Sequence, residues 1–149
     1  MKINIHHGND YLNGYLNIEM RDVQRTDQKA SDHYIINGVV NNDFIDEIIC
    51  HPGALESSSV SPKEILDSWF RFSTSGSILK LKIIDVEAFC SSVAFESESI
   101  KSFNDHMSGY KRFFGRSEIN SVIKESGFKI NKTWYGPMQW ILNIEAIKQ

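Results

Sequence analysis

Cysteine is scarce: Cys50 and Cys90 are the only two among 149 residues. Two isolated cysteines without C-x-x-C spacing are more simply explained as buried small apolar groups in a reducing compartment than as a disulfide or a metal pair. Long apolar runs are missing too. No window approaches the roughly 18 consecutive apolar residues of a membrane-spanning helix, and the N-terminus enters a strand with no basic start, apolar run and cleavage site, so the expectation is a cytoplasmic protein with no membrane partner. Charge of one sign is lacking: 16 basic and 19 acidic side chains leave a net −3. No global field favours nucleic acid, and only a local patch such as Lys111-Arg112 with Arg116 could form. Repeats, low-complexity tracts and linkers are absent, which predicts a single domain over residues 1–149. Prolines are few, at positions 52, 62 and 137, and each serves as punctuation.

What is present is ordinary globular material, 41% apolar and 23% charged, enough for a chain of this size to bury roughly 68–70% of its unfolded surface. Lys2 to Ile5 reads as a short strand running into His6-His7-Gly8-Asn9-Asp10. Tyr15 to Met20 reads as a second, with Glu19 near its end. Ile45-Asp46-Glu47-Ile48-Ile49-Cys50 reads as a buried strand stopped by His51-Pro52-Gly53. Ser61-Pro62-Lys63-Glu64 combines an N-cap, a first-turn proline and an acid three positions on, and so opens a helix. Ile65, Leu66, Trp69, Phe70 and Phe72 form its apolar face, and Ser73-Thr74-Ser75-Gly76 should end it.

Ser77 to Ile84 reads as a strand whose Lys80 and Lys82 share one face, near an edge or snorkelling beside a helix. Residues 86 to 114 lack a clean period and read, with Gly109 and Gly115, as one or two short helices and a loop. Ser117 to Ile123 forms a further helix, closed by Gly127 in a left-handed cap. Lys129 to Tyr135 and Gln139 to Lys148, parted by Gly136-Pro137, form a terminal antiparallel pair.

Strands alternating with helices imply an α/β fold with a mostly parallel sheet, whose ligand crevice lies at the carboxyl ends of the strands. Those ends are residues 6–10, 19–22, 50–53 and 85–87. A glycine turn after strand one, with an acid after strand two, is a layout that holds a nucleoside: the backbone approaches the ligand and the carboxylate takes the ribose hydroxyls.

The succession MKINIHHGNDYLNGYLNIEM, DFIDEIICH, SPKEILDSWFRF with SGSILKLKIIDVEAFC, RSEINSVIKESGF and NIEAIKQ resembles the small class I S-adenosylmethionine-dependent methyltransferases over nearly the whole chain. The short link between strands one and two and the closing ESGF and EAIK pattern are its most specific parts. The resemblance implies a reduced Rossmann-like methyltransferase fold with a C-terminal antiparallel hairpin. It also implies S-adenosylmethionine as cofactor, held at His6, Gly8, Asn9 and Glu19, with Asp22 a weaker substitute for the acid. The family turn resembles Gly-Cys-Gly-Asn, so His6 and His7 depart from it. Ser73-Thr74-Ser75-Gly76 departs from the family's Lys-Pro-Gly-Gly.

His51 is the candidate catalytic base by position, weighed against a plain loop histidine. His6 and His7 point to opposite sides of an extended chain, which disfavours a metal site. Tyr110, Phe113, Phe114, Trp134, Tyr135 and Trp140 would either line an acceptor pocket or belong to the core. Two functions stay open: methyl transfer to a small or saccharide acceptor, or a catalytically inactive relative acting as an interaction or regulatory module with a protein partner. A sugar-nucleotide binder reusing the crevice is a third.

Overall fold

Alternation dictates β1 (Lys2–His6), where Ile3 and Ile5 turn to one side of the chain and Asn4 and His6 to the other. The computed structural model describes residues 1–6, 10–19, 44–58, 60–95, 101, 105, 108 and 110–149. β2 is Leu16–Glu19 and β3 is Ile45–Cys50. A single helical turn, α1 (Ala54–Ser57), precedes α2 (Pro62–Phe72). In α2 the amide of Glu64 donates to Ser61 Oγ at 3.2 Å while the Ser61 amide donates to Glu64 Oε2 at 3.2 Å, the reciprocal cap that the sequence announces.

The chain then departs from expectation. Ser73-Thr74-Ser75-Gly76 does not form a separate terminator, because β4 spans Ser73–Ile84 and starts where α2 ends. Hydroxyls make the abrupt change possible: Ser73 Oγ donates to the Trp69 carbonyl at 2.7 Å and Thr74 Oγ1 to the Ile45 carbonyl at 3.3 Å. Pairing with β3 jumps from Ile45↔Ser73 to Glu47↔Ile78, so the extra residues of β4 bulge outward. α3 (Val86–Ala94) follows at once, capped by Asp85, whose Oδ1 accepts from the amides of Glu87 and Ala88.

α4 (Arg116–Glu125) leads through Gly127, at φ 95°, into β5 (Phe128–Tyr135), and β6 (Ile141–Lys148) closes the chain. Only glycine suits that turn on two counts. The angle is left-handed, and a β-carbon there would come within 2.8 Å of the Phe70 ring.

The six strands lie in the order β2-β1-β3-β4-β6-β5. The pairs β1/β2, β1/β3 and β3/β4 are parallel, and β6 runs against both neighbours. Ile3, Ile5, Ile48, Cys50, Leu79, Leu81, Leu142, Ile144 and Ala146 make one buried face, covered by Ile65, Leu66 and Trp69 of α2 and Ile119 and Ile123 of α4. Truncating a fully enclosed side chain such as Leu66 to Ala would cost roughly 2–5 kcal/mol. Phe89, Ile84 and Trp140 form a smaller cluster at the carboxyl end of β4.

Cys50 is buried as expected, and burial followed by the nearby Glu56 raises its thiol pKa, but Cys90 lies exposed on α3. Lys80 and Lys82 do share a face, on a central strand rather than an edge. No helix among the described residues is long and apolar enough to cross a membrane.

Candidate functional site

Parallel pairing brings the carboxyl ends of β1, β2 and β3 together by necessity. His6 stands in register with Glu19, Ile5 with Cys50, and the His51 amide extends the ladder by donating to the Ile5 carbonyl at 2.9 Å. His6, Glu19 and His51, distant in sequence, therefore start from one edge of the sheet. His7, Gly8, Asn9 and Asp22 lie outside the described residues.

The link from β1 to β2 covers only residues 7–15, whereas parallel neighbours ordinarily need a crossover of a dozen or more. Two asparagines take the place of a helix in satisfying its backbone. Asn4 Nδ2 donates to the Asp10 carbonyl at 2.7 Å and to Asn17 Oδ1 at 2.8 Å. Asn17 in turn accepts from the Leu12 amide and donates to the Leu12 and Tyr15 carbonyls, each at 3.0 Å. Residues 10–15 are thereby folded back beside β1.

That return places Asp10 and Tyr11 at the site. Asp10 Oδ2 lies 3.9 Å from His51 Nδ1, within ion-pair reach once the imidazole is protonated, and the Tyr11 ring centroid lies 4.6 Å from that of His6. His6 itself is fully buried, and among the described residues neither ring nitrogen has a hydrogen-bond partner. The buried Asn4 Oδ1, on the same side of β1, is also unpartnered. A buried polar atom without a partner costs about 1–3 kcal/mol, so these three atoms leave hydrogen-bonding capacity unused along one side of β1. The donor set suits a ligand carrying polar groups. Among the described residues no three His, Cys, Asp or Glu side chains converge.

Beyond His51 the chain is locked by Glu56, which is buried to 1% exposure. Its Oε2 accepts from the Gly53 amide at 2.9 Å and its Oε1 from the Ile84 amide at 3.0 Å, joining α1 to the end of β4. The Glu56 carbonyl also accepts from the amides of Lys111 and Arg112. Burial raises the Glu56 carboxyl pKa against the pull of its backbone donors. Asp85, at the carboxyl end of β4, is equally occupied: besides capping α3, its Oδ2 accepts from the Tyr135 hydroxyl at 2.7 Å. Burial first, and this hydrogen bond second, push the Tyr135 phenol pKa up. Both acids hold the rim of the site in place.

Neither the Asp10 and Tyr11 contacts nor the Asp85–Tyr135 bond had a signal in the sequence. Glu56 had one: an acid at the third helical position after Gly53 is a capping pattern. The aromatic candidates divide, with Phe114 and Trp140 in the core and Phe113, Trp134 and Tyr135 more than one-third exposed.

No family model matches the chain, and no curated protein matches it. Solved structures do. A putative S-adenosylmethionine dependent methyltransferase from Listeria monocytogenes superposes with a TM-score of 0.52 at 15% identity, over 77% of this chain and 66% of that one. A chain of the complex between the Haloferax volcanii Trm112 methyltransferase activator and a putative methyltransferase gives 0.55 at 10% identity, over 71% and 55%. OxaC in complex with SAH and oxaline gives 0.50 at 12%, over 74% and 27%. This chain therefore spans from about a quarter to two-thirds of the length of these three matches. At such identities the likeness is one of fold: a mixed six-stranded sheet of the Rossmann-like methyltransferase type, mostly parallel with an antiparallel hairpin at the C-terminus.

Proposed function

We propose that the carboxyl edge of β1 and β2 binds S-adenosylmethionine or a closely related nucleoside, and that the protein transfers a methyl group to a small or saccharide acceptor. The observation that carries this reading is the fully buried His6 imidazole, with both nitrogens unpartnered among the described residues, set in register with Glu19. In a fold of this type that edge is where a nucleoside belongs. His6, Gly8 and Asn9 would hold the cofactor from the turn after β1, and Glu19 would accept the ribose hydroxyls. The bound cofactor supplies an activated methyl group.

What this chain's own residues contribute is alignment and a proton acceptor. His51 is the base in this reading. Asp10, whose Oδ2 lies 3.9 Å from His51 Nδ1, would favour the imidazolium formed when the ring takes a proton. Fastening of the following turn by Glu56 fixes where the His51 main chain lies.

S-Adenosylhomocysteine should raise the melting temperature, since a ligand at one hundred times its Kd adds about 2.7 kcal/mol to stability. Glu19→Ala should abolish the shift, and His51→Gln should keep binding while losing turnover. No shift and no heat of binding at millimolar ligand would defeat the proposal and leave a catalytically inactive module with a protein partner.

A further inference from the structure

One sheet face is buried under α2 and α4, while the opposite face of β4, β6 and β5 is half exposed. Among the described residues, α3 covers the carboxyl end of that second face, through Phe89 against Ile84 and Trp140. The register fixes what the open part displays. Ile78 pairs with Ile147 and Ile147 with Lys129; Lys80 pairs with Glu145 and Glu145 with Lys132; Lys82 pairs with Asn143 and Asn143 with Trp134. Directly paired residues point to the same side, and strand spacing puts β4 and β5 side chains about 10 Å apart.

Each of these three rungs thus carries a lysine, and the last ends in an indole that is 39% exposed. Lys2 joins the same face through its pairing with Glu47, which pairs with Ile78. From β1 across to β5 the described strands put two carboxylates on this face, and both are hydrogen-bonded. Glu47 is held by Lys80 at 2.6 Å, by Lys2 at 3.3 Å and by the Tyr15 hydroxyl at 2.6 Å, and Glu145 accepts from Asn131 Nδ2 at 2.8 Å. Lys82, Lys129 and Lys132 have no ion pair among the described residues, and Lys132 Nζ rests 4.9 Å from the centre of the Trp134 ring. A chain whose net charge is −3 thus sets five lysines (2, 80, 82, 129 and 132) against Glu47 and Glu145 across β1 to β5, beside an exposed aromatic plane.

We propose that this face binds single-stranded nucleic acid, with Lys82, Lys129 and Lys132 against the phosphates and Trp134 stacking on a base. Charge complementarity selects an anionic partner, and the indole selects a partner with flat rings over an acidic peptide, for which it has no counterpart. Two members of the basic cluster suggested by local sequence are otherwise engaged: Arg112 Nη2 donates to the Ser58 carbonyl at 3.0 Å and Arg116 Nη2 to Thr133 Oγ1 at 2.9 Å. Nothing in this inference depends on the cofactor reading.

Fluorescence anisotropy of labelled oligothymidylate and oligouridylate tests it, the two probes separating DNA from RNA. Binding by either should weaken with salt, with a log–log slope of about −2 for three phosphate contacts. Trp134→Ala should weaken binding roughly fivefold or more, whereas Trp134→Phe retains most of it. The triple change Lys82→Gln, Lys129→Gln, Lys132→Gln should remove binding with an unchanged circular dichroism spectrum, and if that variant does not fold, the Trp134 pair alone decides. No anisotropy change at low salt would overturn the proposal. So would equal competition by polyglutamate with no loss in Trp134→Ala, which would mark an acidic-protein surface.

Discussion

Replacing Glu47 by Gln tests the ion network on the open sheet face and permits a worked magnitude. The side chain is 10% exposed, and burial is the largest single influence on its carboxyl, opposing ionisation. Hydrogen bonds from Lys80, Tyr15 and Lys2 together outweigh burial and hold the pKa down to about 2, from an ordinary 4.5. At about 1.36 kcal/mol per pKa unit, the ionised form is favoured by about 3 kcal/mol in the fold.

Because the folded value is depressed, that stability is fully present above the unfolded value of 4.5 and is lost as pH falls through about 2. By about pH 3 the unfolded chain holds the proton and the folded chain still does not, so about 2 kcal/mol of the contribution is gone. Lys2 and Lys80 are about half exposed, so added salt should trim the effect. Urea denaturation of wild type and Glu47→Gln at about pH 6 and about pH 3 reads it directly: the stability gap between them should narrow by about 2 kcal/mol at the lower pH. A gap of equal size at both values would refute the argument.

Two further outcomes follow from local geometry. Gly127→Ala should lower stability by roughly 1–3 kcal/mol in a denaturant titration, since φ is 95° and the new β-carbon would press on Phe70. Tyr135→Phe should cost about 1–3 kcal/mol by leaving Asp85 Oδ2, in a residue only 2% exposed, without its donor, and a thermal melt would register the loss.

Local rules were legible where one element decides for itself. The Ile45–Cys50 strand, the Ser61–Glu64 cap and the Gly127 turn follow from alternation, capping chemistry and left-handed geometry, all of which act within a few residues. The change from α2 to β4 at Ser73 was not legible, because serine and threonine read as loop residues until one sees which carbonyls their hydroxyls meet. The site divides in the same way. His6, Glu19 and His51 could be placed at strand ends from the pattern alone, but Asp10 reaches His51 and Tyr11 reaches His6 only because Asn4 and Asn17 fold the short link back.

Sequence by itself determined the periodicities, the caps and hence the order of strands and helices, since those depend on neighbours a few positions away. Tertiary structure alone decided that His6 would be buried without a hydrogen-bond partner among the described residues, that Glu56 and Asp85 would be consumed as fastenings, and that lysines from two non-adjacent strands would share a face with Trp134. Such facts depend on register between segments far apart in the chain, and a shift of one residue along a strand would send every side chain to the opposite side.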